Sequence, residues 1–292
     1  MKIMFHCDWN SSSEDLLNTY KIQTPNEGGV WNNIQATTNI NQADYHVVMD
    51  GGKPQGVPWN RVIYLQREEP EIKATRLDFP DDLFFRGTYT DKNHYLVSVW
   101  RVIKAYDYLK SLQYDAGKKL YALSTITSGK SFASGHKKRI GFLEQLVNVD
   151  KQIHIFGNAG IEQHGNIKDC FKGELNYNRY CKFNGLWPYH YSLAFENSSI
   201  DNCVSEKAYD ALLAWSMPIY WGCTNVSEYL PAGSYHHVDI DDPSSIQRVI
   251  NIIKEPPTQD NINAMSQARK LILDSYNIWP EIETIINEKS ND

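Results

Sequence analysis

Residues Tyr191–Gly222 read YSLAFENSSIDNCVSEKAYDALLAWSMPIYWG and contain the clearest secondary-structure signals of the chain. Its apolar beginning, YSLAF, predicts a buried strand, and the polar residues that follow predict a loop. Ser205 is a suitable N-cap for a helix that runs from Glu206 to Trp215, and a second strand is predicted at Pro218–Trp221. A strand, a helix and a strand in this order indicate a unit with parallel strands.

Similar alternation extends in both directions and predicts an α/β protein with two halves, residues 1–115 and 116–292, and a cleft between them. Ligands of open α/β sheets bind beyond the carboxyl ends of the strands, so the loops after strands are the candidate sites. Further strands are predicted at Lys2–His6, Tyr45–Met49, Arg61–Leu65, Leu120–Ser124 and Ile153–Phe156, and helices at Val97–Leu112, His136–Val147, Ser244–Lys254 and Asn261–Tyr276.

Composition excludes several classes of protein. With 41% hydrophobic and 22% charged residues the chain can form a sizeable core. A formal net charge of −6 argues against a nucleic-acid partner, which needs a basic surface. No apolar run reaches the roughly 18 residues of a membrane span. The five scattered cysteines suggest no disulfide framework, so we expect a cytoplasmic protein. The absence of a membrane-anchor pattern suggests a bacterial or viral type, with peripheral membrane association as the alternative.

The sequence gives little support for a metal site. No pair of histidines has a metal-ligand spacing such as HExxH. Asp239–Asp242 contains a DxD-like pattern, but its position before Pro243 is typical of a helix-start cap. We therefore expect that no metal or other cofactor is required.

The start of the predicted helix at Ser205 has the properties of an anion site. A helix N-terminus offers unpaired N–H groups and a partial positive charge. Lys207 in the first turn is unfavourable for the helix dipole, and its presence makes more sense if it faces a phosphate. Glu206 and Glu196 can accept hydrogen bonds from sugar or ribose hydroxyls. Taken alone, the same residues could form a solvated ion pair on a surface helix.

Five motifs in fixed order carry a resemblance to a known family. The chain resembles glycosyltransferase family 10, the α-1,3/4-fucosyltransferases. The motifs are FENS (Phe195–Ser198), SEK (Ser205–Lys207), ALLA (Ala211–Ala214), PIYWG (Pro218–Gly222) and PAGSYHHVD (Pro231–Asp239).

The resemblance implies an inverting transferase of the GT-B type, with two Rossmann-like domains facing each other across a cleft. Residues 116–292, with the C-terminal helices, would bind the donor GDP-fucose, and residues 1–115 would bind the carbohydrate acceptor. The implied donor-binding residues are Arg139, toward a phosphate, and Glu196, Asn197, Ser205, Glu206 and Lys207. Two other interpretations of this region stay open, namely a solvated basic helix end at Arg139 and a phosphate-cradling glycine loop at Thr127–Gly135.

A carboxylate in the first half is the candidate general base. Glu68-Glu69-Pro70 follows the predicted strand Arg61–Leu65 and matches the family's Glu-x-Pro element, which selects Glu68 as the base and leaves Glu69 as the alternative. A charged loop without catalytic function is the other interpretation of this segment.

The chain departs from the family pattern at one position. Family members have a tyrosine near the guanine where this chain has Cys203. A thiol cannot replace an aromatic ring, so another nucleotide sugar is an alternative donor. A glycan-binding relative that has lost catalysis is the second alternative.

Overall fold

The computed structural model describes residues 1–7, 9–66, 84–87, 103–175 and 181–291, with the backbone alone described for 84–87 and 290–291. Its first part is an N-terminal sheet against which helix α1 (Ser13–Tyr20) packs. The strands of this sheet are β1 (Lys2–Cys7), β2 (Val30–Trp31), β3 (Ile34–Ala36), β4 (Tyr45–Met49), β5 (Val62–Gln66) and β6 (Phe84–Gly87).

The N-terminal sheet has the order β2-β3-β1-β4-β5-β6. The short β2–β3 pair is antiparallel, and the other described pairs are parallel. The three strands predicted here from apolar runs are confirmed as β1, β4 and β5, and each observed end lies within one residue of the predicted end. Strands β4 and β5 read as continuous apolar runs because both of their faces are covered, as is usual in parallel sheets.

The second part is a C-terminal sheet built from strands β7 (Tyr121–Ser128), β8 (Ile153–Asn158), β9 (Tyr189–Phe195), β10 (Met217–Trp221) and β11 (His236–His237). Their order is β11-β10-β9-β7-β8, and all of these pairs are parallel. The helices from the middle of the chain onward are α2 (Tyr106–Ser111), α3 (Ser134–Val149), α4 (Cys181–Asn184), α5 (Glu206–Leu213), α6 (Ser245–Ile252), α7 (Gln259–Asp274) and α8 (Ile278–Asn291).

The last helix belongs to the core of the N-terminal sheet. Ile278, Trp279 and Ile282 of α8 are fully buried in one cluster with Ile3 and Phe5 of β1. The Trp279 indole Nε1–H donates to the Tyr20 carbonyl oxygen of α1 at 3.0 Å. Residues 116–292 were predicted to form the donor domain with its C-terminal helices, whereas the apolar face of α8 packs across the boundary.

The helix predicted at Val97–Leu112 differs from the structure. Residues 97–102 lie outside the described residues, and the helix begins only at Tyr106. Ala105 before it has extended backbone angles (φ −71°, ψ 157°), and Ile103 is buried as a single side chain in the C-terminal core. The apolar spacing that predicted a helix therefore includes residues 103–105, which are not helical in the structure.

The loop predicted from Thr127 to Gly135 is shorter in the structure. Thr127 and Ser128 continue β7 and pair with Gly157 and Asn158 of β8. Polar residues can extend a strand here because a neighbouring strand satisfies their backbone groups. In the described part of the chain, no helix has the length and apolarity needed to span a bilayer.

Candidate active site

A cavity of about 330 Å³ lies at the carboxyl ends of three strands of the C-terminal sheet. Its wall includes Thr127 and Ser128 of β7, Asn158 of β8 and Asn197, which follows β9. From β7 the chain goes to β8 on one side, and it then returns to β9 on the other. The cavity is therefore at a topological switch point, where open α/β sheets bind their ligands.

Helix α5 begins at this cavity. Ser205 has an extended backbone (φ −96°, ψ −179°), and its hydroxyl accepts a hydrogen bond from the Lys207 backbone N–H at 3.3 Å. The predicted N-cap is thereby confirmed. Glu206 and Lys207 of the first turn both lie in the cavity wall, so the amino end of the helix contributes to it.

Glu196 lies behind the wall, although the sequence predicted it as an acceptor for ligand hydroxyls. The side chain is fully buried and does not line the cavity. Its carboxylate accepts hydrogen bonds from the Ser205 backbone N–H at 2.8 Å, the Ser205 hydroxyl and the Lys207 ammonium at 3.1 Å. Glu196 therefore positions Lys207 and the start of α5.

Two lysines control the charge of Glu206. Its carboxylate lies 3.8 Å from the Lys207 Nζ and 3.9 Å from the Lys182 Nζ of α4. Burial opposes ionisation of Glu206, but the two ammonium groups outweigh it and lower its pKa to about 2. Burial likewise disfavours the Lys207 ammonium, yet Glu196 and Glu206 outweigh it and hold the pKa well above its usual value. Both residues are thus charged at neutral pH.

Arg139 reaches the same cavity from helix α3. The residue is 5% exposed, and its guanidinium Nη1 donates to the Asn197 side-chain oxygen at 2.9 Å. Repulsion by the Arg139 guanidinium opposes the increase in the pKa of Lys207. A diphosphate between them would relieve this repulsion. Of the predicted donor-binding residues, Arg139, Asn197, Glu206 and Lys207 line the cavity together.

The first turn of α3 packs directly on the loop that holds Asn197. A Cβ added to Gly135 would lie 1.8 Å from the Asn197 carbonyl oxygen, so only glycine fits there. We expect Gly135→Ala to lower the free energy of unfolding by about 1–3 kcal/mol and to displace Asn197 from Arg139. Urea denaturation of the variant measures this loss.

Gly141 in the same helix provides a matched control. A Cβ at this position would meet no atom within 4 Å. Gly141→Ala should therefore raise stability by up to about 1 kcal/mol, since alanine is the better helix former. Equal stability of the two variants would contradict the close contact at Gly135.

Residues 121–260 match the family described as Glycosyltransferase family 10 (fucosyltransferase) C-term. This part of the chain is a glycosyltransferase family 10 domain. The match contains the whole cavity wall and all five motifs on which the resemblance rested, and the predicted family is thereby confirmed.

Two plant proteins are related to the family 10 domain. A fucosyltransferase-like protein of Arabidopsis thaliana is 30% identical over 101 residues, which are 34% of this chain and 17% of that protein. An α-(1,4)-fucosyltransferase of the same plant is 41% identical over 46 residues, 16% of this chain and 12% of that protein. The matched segments span less than a fifth of either relative.

Solved structures establish the fold around the family 10 domain. An α1,3-fucosyltransferase superposes with a TM-score of 0.50 at 16% identity, over 95% of this chain and 92% of the other. A UDP-forming trehalose-phosphate synthase from Burkholderia xenovorans gives a TM-score of 0.52 at 10% identity, over 99% and 73%. The chain has the GT-B fold of two Rossmann-like domains, as predicted.

Cys203 does not face the cavity of the family 10 domain. It is 2% exposed and is not part of the cavity wall. The family's tyrosine at this position was expected to lie near the guanine, and Cys203 contributes nothing to the wall in its place.

Two other predictions concern a metal requirement and a glycine loop that would bind phosphate. Within the described ranges, no group of three or more histidine, cysteine, aspartate or glutamate side chains is placed to hold a metal ion. In the DxD-like segment, Asp241 forms an ion pair with Lys138 at the surface. A Cβ on Gly129 would lie 2.4 Å from the Ala159 carbonyl oxygen, so this glycine is explained by packing.

Lys182 and Asp210 are among the wall residues that the sequence did not point to. Lys182 donates to the Asp210 Oδ2 at 2.8 Å, and both side chains line the cavity. Asp210 lies one turn after Glu206 on α5, and that helical spacing was the available signal. Lys182 follows a segment with no recognisable pattern. The candidate base Glu68 and its neighbour Glu69 lie outside the described residues.

Proposed function

We propose that the chain is an inverting fucosyltransferase that transfers fucose from GDP-fucose to a hydroxyl of a glycan acceptor, in a linkage of the α-1,3 or α-1,4 type. The observation that carries the proposal is the pair of cations, Arg139 and Lys207, in the wall of one switch-point cavity of a family 10 domain. The related Arabidopsis thaliana protein named as an α-(1,4)-fucosyltransferase supports the choice of sugar.

The reaction divides between the two halves of the chain. An acceptor hydroxyl oxygen attacks the anomeric carbon, the bond from that carbon to the phosphate oxygen breaks, and GDP leaves with the electron pair. Glu68 takes the hydroxyl proton as general base. Arg139 and Lys207 neutralise the charge that develops on the diphosphate, which is the role of a metal ion in other transferases. Glu206 accepts hydrogen bonds from hydroxyls of the donor.

Calorimetric titration tests the donor. We expect GDP to bind at least about tenfold more tightly than UDP, a difference of about 1.4 kcal/mol, and the affinity to be the same in EDTA. Preference for UDP would favour another nucleotide sugar. Loss of affinity or turnover in EDTA would show a metal requirement and contradict the proposal.

Released nucleotide tests catalysis. A screen of GDP-fucose and GDP-mannose, with and without glycan acceptors, should release GDP from GDP-fucose when a suitable acceptor is present. Absence of GDP release with every donor would favour a glycan-binding protein without activity.

A further inference from the structure

Five charged side chains form a row of alternating sign along the start of α5. They are Glu196, Lys207, Glu206, Lys182 and Asp210, and successive charged atoms lie 3.1, 3.8, 3.9 and 2.8 Å apart. The carboxylate at one end, Glu196, is behind the cavity wall, while the carboxylate at the other end, Asp210, is part of it. Asp210 can therefore contact a ligand in the cavity, whereas Glu196 cannot.

The two carboxylate oxygens of Asp210 differ in their contacts within the part of the chain that the structure describes. The side chain is 3% exposed, and its Oδ2 accepts from the Lys182 ammonium. Its Oδ1 is buried and has no hydrogen-bond partner among the residues that the structure describes. A buried carboxylate oxygen without a donor is costly, and in a cavity wall it is explained by a ligand.

The pKa of Asp210 is consistent with a charged carboxylate that lacks one hydrogen bond. Burial raises the pKa of Asp210 to about 6, although the Lys182 ammonium opposes the increase. The group is thus a carboxylate at neutral pH, and an O–H or N–H donor from a ligand would complete its hydrogen bonds.

The ligand group at Asp210 cannot be a phosphate. A carboxylate repels phosphate oxygens and accepts hydrogen bonds only from O–H or N–H donors. Phosphates suit the two cations of the wall, Arg139 and Lys207. Asp210 is four residues after Glu206, about one helical turn or 5.4 Å along α5, so it would contact a part of the donor beyond the group at Glu206.

We propose that Asp210, held by Lys182, is a specificity-determining residue that accepts a hydrogen bond from an O–H or N–H group of the donor's nucleoside. The inference rests on the proposed function, because it orients a nucleoside diphosphate whose phosphates contact Arg139 and Lys207. The sugar of the donor has hydroxyls of the same chemistry, and the experiment distinguishes the two sources.

Calorimetric titrations of Asp210→Asn with pyrophosphate, GDP and GDP-fucose test the inference. An amide has a single acceptor oxygen, so contact with Lys182 turns the NH₂ group toward the ligand's own donor. We expect the affinities for GDP and GDP-fucose to fall equally, by about tenfold to a hundredfold, as for a hydrogen bond to a charged group. Pyrophosphate, which has no nucleoside, should bind at least as tightly as it does to the parent protein, because the variant lacks a carboxylate that repels phosphate oxygens, and this also shows that the variant is folded.

Asp241→Asn is the matched control, because Asp241 also pairs with a lysine, Lys138, but is half-exposed and outside the cavity wall. It should leave all three affinities unchanged. A loss restricted to GDP-fucose would assign Asp210 to the sugar and overturn the inference, as would unchanged GDP affinity in Asp210→Asn. If the parent protein itself fails to bind GDP, the proposed function fails instead.

Discussion

Glu68→Gln is expected to reduce turnover of GDP-fucose by about a hundredfold to ten-thousandfold, the usual contribution of a general base. The amide keeps the size of the side chain but cannot take the proton of the acceptor hydroxyl. GDP affinity should stay nearly unchanged, because the phosphate contacts that we propose come from the other half of the chain. Steady-state rates and calorimetry on the same preparation measure the two quantities.

The adjacent Glu69 supplies the control for this prediction. Glu69→Gln changes the net charge of the segment by the same amount, so an effect of charge alone would appear in both variants. We expect Glu69→Gln to retain most of its turnover. The reverse result would assign the base to Glu69, and loss of GDP affinity in Glu68→Gln would refute a purely catalytic role.

Lys207→Ala and Arg139→Ala are each expected to weaken GDP binding by about 1.5–3 kcal/mol, or roughly 10-fold to 150-fold. Each removes a cation from the cavity wall, where a diphosphate would accept its hydrogen bonds. The combined variant should lose less than the sum of the two, since both cations would contact one ligand. Calorimetric titration with GDP and with pyrophosphate measures these losses.

Lys138 is the control cation, because it lies next to Arg139 in sequence but pairs with Asp241 at the surface. Lys138→Ala should bind GDP like the parent protein.

Lys207→Ala should also have a lower melting temperature, because buried Glu196 loses one of its partners. Parental GDP affinity in both single variants would remove the phosphate contacts from the proposal.

The strands and the start of α5 were predictable because local signals determine them. Apolar runs gave β4 and β5 with accurate bounds, and the Ser205 hydroxyl caps the helix as its position suggested. Arg139, Asn197, Glu206 and Lys207 were assigned to one pocket through their motifs, and they do share one cavity.

Features that depend on distant contacts were not predictable. Glu196 reads as a polar residue at the end of a strand, and only the folded chain shows that Ser205 and Lys207 occupy its oxygens. Lys182 meets Asp210 across 28 positions of sequence. The contact of Trp279 with Tyr20 spans 259 positions, and no local pattern encodes such a pairing.

Helix α8 has a consequence for the order in which the protein is made. Domains generally fold as units while the ribosome is still adding residues, beginning with the N-terminal one. Here β1 buries Ile3 and Phe5 against a helix that is synthesised long after it. The N-terminal sheet must therefore keep an apolar face exposed until α8 has been made, and a chaperone could bind that face in the meantime.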